Sequence, residues 1–119
     1  MKIYTSNNTG AGGQKVTVKK LTPVAQDRVE TEAYELPLKP SLKLFNHSPD
    51  GFQFGYQGSG CAQLALAILL DLTKDPDISV RLHQEFKRHF IATSGKRLLI
   101  TEPDILTWLL WLAKREVKR

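Results

Sequence analysis

The feature that most constrains the fold is an uninterrupted apolar run at residues 64–70, LALAILL. Ala, Leu and Gln dominate residues 61–73, and these residue types favour a helix. Because the run leaves no polar face, the helix is predicted to be central and buried on all sides. Other elements must therefore pack around it, and a chain of 119 residues is long enough for one domain with such a core.

Two β-hairpins are predicted ahead of this helix. Polar–apolar alternation at 2–6 and 15–21 predicts the first. Residues 42–57 predict the second, folded about the turn at 48–51 and packed on the helix through one apolar side. That side comprises Leu42, Leu44, Phe52, Phe54 and Tyr56. The segment at 22–40, with three prolines and four acidic residues, is predicted to be an extended connector or insertion.

The remaining elements follow the central helix. Asp75 followed by Pro76 is typical of a helix start, and Ser94-Gly95 marks the end of that helix. A short strand is predicted at 96–100, and a last helix runs from the Thr101 cap to about residue 117. The predicted fold class is α+β, with a small antiparallel sheet of hairpins packed on about three helices in a single domain, 1–119.

Gly58-Ser59-Gly60 precedes the central helix and has two interpretations. Free N–H groups and the positive end of the helix dipole can bind an anion or ligand at these residues. The glycines are also explained by a tight turn against a buried helix, which is the preferred interpretation. Neither the Walker nor the Rossmann glycine pattern is present, so a nucleotide site here is the weaker alternative.

No catalytic residue, metal site or cofactor is predicted. Ser59 lacks the glycines that a G-x-S-x-G nucleophile elbow requires, since Gln57 and Cys61 stand at those positions. The single cysteine is best explained as a small buried side chain. The three histidines show no ligand spacing along the sequence; they are His47, His83 and His89. An enzyme is therefore the less favoured class.

Charge and aromatic content suggest two binding surfaces. The formal net charge of +5 permits contact with nucleic acid, for which Arg81, Lys87 and Arg88 on the second helix are the candidates. In the last helix, Trp108 and Trp111 stand about one turn apart, and the helix is apolar nearly all round. Together with Arg115, they are the candidate interface with a host protein or a second copy, although full enclosure in the core stays an alternative.

The cellular setting is predicted to be cytoplasmic. The N-terminus lacks the apolar core of a signal peptide, and no apolar run approaches the length of a membrane span. A single cysteine excludes an internal disulfide, which favours a reducing compartment.

Residues 46–70, NHSPDGFQFGYQGSGCAQLALAILL, resemble the core signature of a family of short uncharacterised proteins of bacteria, plasmids and phages. Residues 86–92 and 105–109 are also similar to that family. Three positions differ from its pattern, at Phe54, Gln57 and Cys61, where tryptophan, glycine and proline are expected. The resemblance implies a home on a phage or mobile element and no established activity.

The predicted function is therefore a small non-enzymatic binding protein of a phage or mobile element. Antagonism of a host defence system, by binding a host protein or ligand, is its more specific form. A nucleic-acid-binding accessory or regulatory protein is the alternative, and a nucleotide-binding or nucleotide-processing protein is the weakest of the three.

Overall fold

The structure, a computed structural model, describes residues 1–9 and 12–117, with the backbone alone for Glu116 and Val117. Four strands form one antiparallel sheet in the order β3-β2-β1-β4: β1 (Lys2–Asn7), β2 (Thr17–Ala25), β3 (Arg28–Glu35) and β4 (Arg97–Thr101). The helices are α1 (Lys39–Leu44), α2 (Ser59–Thr73), α3 (Pro76–Phe86) and α4 (Glu102–Val117). The predicted α+β class is confirmed.

Helix α2 is the centre of the hydrophobic core, as its sequence predicts. Every residue from Gly60 to Leu69 is buried, so the helix has no solvent-facing side over that length. It packs against α3, and it shares one apolar cluster with the inward-facing side chains of the sheet. Those sheet side chains include Tyr4, Val18, Leu98 and Ile100. The apolar run thus specifies both the helix and its position.

The first hairpin is confirmed, but the connector predicted at 22–40 is wrong. Strand β2 continues through Ala25, and β3 returns beside it, so most of the segment belongs to the sheet. Pro23 is tolerated because β1 pairs with β2 only as far as Lys20, which leaves β2 with a partner on one side alone. A register shift between Pro23 and Ala25 accommodates the missing N–H.

The second predicted hairpin is also wrong. Residues 39–44 form helix α1, and Phe52 makes only an isolated bridge to Gln14. Proline at the start of α1 favours a helix, and Gly51 and Gly55 have φ angles of +120° and +89°, which a strand does not contain.

The packing predicted for that segment is confirmed only in part. Phe52 and Phe54 are buried in the core, as predicted, whereas Tyr56 is 51% exposed and Leu42 and Leu44 are half-buried.

The second half of the chain follows its predicted order of elements. Asp75 caps α3 by accepting a hydrogen bond from the Ile78 N–H, 3.1 Å away, and Pro76 follows it. The helix does not continue regularly to residue 93, because Lys87–Ile91 form a π-helical turn. Strand β4 and helix α4 then occupy the predicted positions. None of the described helices is long and apolar enough to cross a membrane.

Candidate functional site

An open groove lies between the π-helical turn and α4, and we call it the aromatic groove. Its volume is about 430 Å³. Six side chains line it: His89, Phe90, Asp104, Thr107, Trp108 and Trp111. The lining is mainly apolar and aromatic, with a few polar groups at the edge, which is the usual composition of a binding site.

The two tryptophans have different environments within this groove. Trp108 is only 5% exposed and belongs to the core, where its ring meets those of Phe86 and Phe90 edge-on at 5.4 and 5.8 Å. Trp111 is 53% exposed. Of the two tryptophans predicted for an interface, Trp111 is the one that faces solvent, while Trp108 is enclosed in the core and forms a fixed floor beside it.

The π-helical turn positions the other wall of the groove. The Ala92 N–H bonds to the Lys87 carbonyl, five residues back, at 2.8 Å, so the turn is wider than in an α-helix. His89 then lies nearly parallel to the Trp108 ring, with centroids 6.2 Å apart, and Phe90 packs beneath it. Such turns occur frequently at functional sites. The sequence marks Phe90 as part of the apolar face of α3, but it gives no signal for the widened turn.

Charged side chains extend the aromatic groove at one end. A second depression shares Trp108, Trp111 and His89, and it adds Glu85, Arg88 and Arg115. The Arg115 guanidinium lies 4.8 Å from the Trp111 ring centroid and 3.7 Å from the Glu85 carboxylate. The ion pair is exposed, so it holds Arg115 only weakly. With two arginines and one glutamate, this end of the groove carries net positive charge.

The three cations that the sequence nominates for nucleic acid do not form one surface. Arg81 and Arg88 are exposed, and Arg88 lines the depression beside α4. Lys87 is half-buried, and its charge lowers the pKa of His47 and opposes the rise in the pKa of Cys61, so it lies near those residues. The turn from α-helix to π-helix separates these residues.

Gly58-Ser59-Gly60 lies at the start of α2, where Gly58 is the N-cap with extended backbone. Neither glycine has a positive φ, so close packing is the feature that requires them. A Cβ on Gly60 would lie 2.8 Å from Gln53 Cγ and 3.1 Å from the Gln53 backbone N. The three atoms nearest to a Cβ on Gly58 would all belong to the exposed Tyr56 ring, the closest at 2.6 Å. This geometry supports the preferred interpretation, a turn that serves packing.

Cys61, explained from the sequence as a small buried side chain, follows that turn in α2. Its thiol is fully buried, and burial raises its pKa, although the backbone N–H groups of Tyr56 and Gly58 and the charge of Lys87 oppose the rise. A neutral buried thiol is a poor nucleophile.

Two of the histidines meet in space despite their separation in sequence. His83 is buried, and its Nδ1 donates to the Val80 carbonyl at 2.6 Å, which leaves Nε2 as an acceptor. His47 Nε2 therefore donates to it, across 2.9 Å. Burial lowers the pKa of His47, and positive charge on a protonated His83 and on Lys87 lowers it further. Within the described part of the chain, no three His, Cys, Asp or Glu side chains gather closely enough to hold a metal ion.

The sequence does not identify a carboxylate network in the last turn of α2. Asp71 accepts hydrogen bonds from the hydroxyls of Tyr4 at 2.7 Å and Tyr34 at 2.8 Å, and the Lys2 ammonium lies 3.1 Å away. Burial alone would raise the pKa of Asp71, but these three donors outweigh it, so the pKa falls below its usual value. The hydroxyls of Tyr4 and Tyr34 donate to this carboxylate. Burial and the negative charge of Asp71 raise the pKa values of both tyrosines. The network joins β1, β3 and α2. Because several donors surround one acceptor, its role is to hold these three elements together.

Comparison with known proteins identifies one family whose model matches this chain. A model described as a family of unknown function (DUF6166) matches residues 13–111. That range includes α1 to α3, β4 and the groove residues up to Trp111. No curated protein and no solved structure gave a significant match.

Proposed function

The chain belongs to DUF6166, a family of unknown function, and we propose that this protein acts by binding a partner protein through the aromatic groove. A role in binding is favoured over catalysis because the thiol of Cys61, the one cysteine of the chain, is buried with a raised pKa. Ser59 lies in a turn that packing explains.

The observation that carries the proposal is the environment of Trp111. A large aromatic side chain stands 53% exposed beside a fixed aromatic floor, in a groove of about 430 Å³. Leaving this much apolar surface in water costs free energy, and a partner that covers it recovers that energy. Tryptophan and arginine are also the residue types most enriched among those that dominate binding energy at protein interfaces.

The groove also indicates the chemistry of its occupant. The aromatic lining fits an aliphatic or aromatic side chain, which would lie between Trp111 and Phe90. Arg88 and Arg115 at the positive end fit a carboxylate next to that side chain, since Glu85 is the one acidic residue among those that line that end and Asp104 lines the aromatic groove itself. The proposed partner therefore presents an apolar residue followed by an acidic residue, on a segment narrow enough to enter the groove.

The narrower form of the proposal is that this partner belongs to a host defence system. Only the sequence resemblance to phage and plasmid proteins supports it, because family membership by itself assigns no activity. The cytoplasmic setting is likewise proposed from the composition of the chain.

Selection from a displayed library of random peptides tests the proposal and does not require the partner to be identified first. We expect the protein to enrich peptides with an apolar residue next to Asp or Glu. The same selection with Trp111→Ala should lose this consensus, because the groove loses one wall. Leu110→Ala is the matched control: Leu110 is 58% exposed on the same helix but does not line the groove.

The outcomes separate the possible occupants. A consensus retained by Trp111→Ala, or no enrichment above background, contradicts the proposal. Light scattering on the free protein adds a second test. A dimer that Trp111→Ala dissociates would assign the groove to a second copy of the chain instead.

A further inference from the structure

A second concave surface lies on the face of the sheet that is turned away from α2. Its volume is about 480 Å³. Eight residues line it: Thr5, Ser6, Asn7, Thr9, Lys15, Thr17, Lys19 and Arg97. We call this surface the cationic sheet groove. It shares no residue with the aromatic groove.

The strand register places these polar side chains together. Tyr4 and Val18 are paired and point into the core, so their neighbours in sequence, Thr5 and Thr17, are paired on the outward face. Arg97 pairs with Asn7 on the other side of β1. The groove therefore crosses three strands, with hydroxyl and amide groups in its middle and cations at its borders.

The three cations of this groove are exposed, and the carboxylate of Glu35 lies near them on the same face of the sheet. Lys15, Lys19 and Arg97 form no ion pair with any acidic group that the structure describes. The nearest acid in the strand register is Glu35, which pairs with Thr17 on the β3 side. The positive charge of this face therefore lies over β2, β1 and β4, and the negative charge of Glu35 lies on β3.

We propose that the cationic sheet groove binds the phosphodiester backbone of a single nucleic acid strand. Lys19 lies in β2, and Lys15 lies two residues before that strand, where its carbonyl accepts a hydrogen bond from Ser6 Oγ of β1. Four residues of extended chain span at most about 13 Å, and Arg97 lies on β4, two strands from β2, which is roughly 10 Å across the sheet. Cations spread over such distances match successive phosphates along a chain better than one isolated phosphate. The Thr and Asn side chains between them supply neutral donors to the same backbone.

The absence of an aromatic side chain from the groove lining determines the kind of binding. Without a ring on which bases can stack, the contacts are to the backbone, so binding does not depend on base sequence. Affinity then falls steeply with salt. Three phosphate contacts predict a slope of log K against log salt of about −2 for a single strand.

Fluorescence anisotropy with labelled oligo(dT), from about 50 to about 200 mM salt, measures this slope. The variant replaces all three cations by glutamine: Lys15→Gln, Lys19→Gln and Arg97→Gln. We expect the variant to bind roughly tenfold more weakly or worse at the low-salt end, with a slope near zero. Oligo(dA) and a single-stranded RNA should bind the wild type about as well as oligo(dT).

A control variant removes the same net charge from elsewhere. It carries Arg81→Gln, Lys87→Gln and Arg88→Gln, and we expect it to keep most of the affinity and slope. If this control loses as much as the sheet variant, binding belongs to α3 and the π-helical turn, and the proposal is overturned. A wild-type protein with no measurable slope overturns it as well, and so does polyglutamate that competes as well as DNA.

Thermal denaturation followed by circular dichroism checks that the variants are folded. Should the triple variant be unfolded, Lys19→Gln and Arg97→Gln are measured singly, and each is expected to reduce the magnitude of the slope by about 0.7. A single variant that is folded and leaves the slope unchanged contradicts the assignment of that cation. Glu35→Gln should change the affinity in the opposite direction and strengthen binding, because it removes a negative charge beside the groove.

Discussion

Replacing Asp71 by alanine should destabilise the protein more than any other single polar substitution in the sheet–helix interface. Its side chain is 9% exposed and accepts hydrogen bonds from Tyr4 and Tyr34, with the Lys2 ammonium at 3.1 Å. The substitution leaves the Tyr4 hydroxyl, on a fully buried residue, without its acceptor. It also leaves the partly buried Lys2 ammonium without its counter-charge.

The expected loss is about 3 kcal/mol of unfolding free energy. Removing one partner of a buried charge pair typically costs about 3–5 kcal/mol, and we take the lower end because Lys2 and Tyr34 keep some access to water. For a chain of this size, that corresponds to a drop in melting temperature of roughly 10 °C. Tyr34→Phe removes one donor and leaves two, so about 1 kcal/mol is expected for it.

Urea denaturation of the wild type and both variants, repeated across acidic pH, is the assay. Since the folded-state pKa of Asp71 lies below its ordinary value of 3.8, the network stabilises the protein above that pH. This stabilisation is lost as the pH falls through the folded-state pKa, and Asp71→Ala should lack that part of the pH dependence. A loss below about 1 kcal/mol, or an unchanged acid profile, would refute the reasoning.

Two further predictions concern the glycine turn and the histidine pair. Gly60→Ala should cost roughly 1 kcal/mol or more because its Cβ would meet both the side chain and the backbone of Gln53. Gly58→Ala should cost clearly less in the same denaturation assay, because the nearest atoms to its Cβ belong to the Tyr56 ring, which is exposed and can move aside. Equal costs would contradict the packing account. Because burial and the neighbouring His83 lower the pKa of His47 from 6.5, wild-type stability should fall as the pH drops below 6.5, and a His47→Asn variant that keeps the same fall would exclude this histidine as its source.

The sequence predicts correctly those elements whose local residue pattern agrees with their packing in the fold. The apolar run at 64–70 specifies a helix, and burial on every side follows from it, so α2 is predicted in both type and position. Asp75-Pro76 is a local signal too, and it correctly marks the start of α3.

The errors arise where tertiary context outweighs local pattern. Alternating apolar residues at 42–56 look like strands, but two glycines with positive φ and a proline at the start of α1 prevent strand pairing. Conversely, Pro23 argues against a strand, yet β2 tolerates it because one side of the strand is unpaired there.

The candidate sites show the same difference between features that a local sequence pattern predicts and features that depend on tertiary contacts. Trp108 and Trp111 can be selected from the sequence because large aromatic residues near a chain end are conspicuous, but nothing in the sequence says which one is exposed. The Asp71 network and the His47–His83 pair unite residues far apart in the chain, at separations of up to 69 residues. Such contacts depend on the sheet register and the helix packing, which no local pattern encodes.

The affinity of a selected peptide for three forms of the protein tests the central claim most directly. Isothermal titration calorimetry compares wild type, Trp111→Ala and Leu110→Ala. If the aromatic groove is the binding site, Trp111→Ala should lose about 2 kcal/mol, or roughly 30-fold in Kd, while Leu110→Ala stays within about threefold of wild type. Equal affinity of wild type and Trp111→Ala, with both proteins folded, would contradict the account.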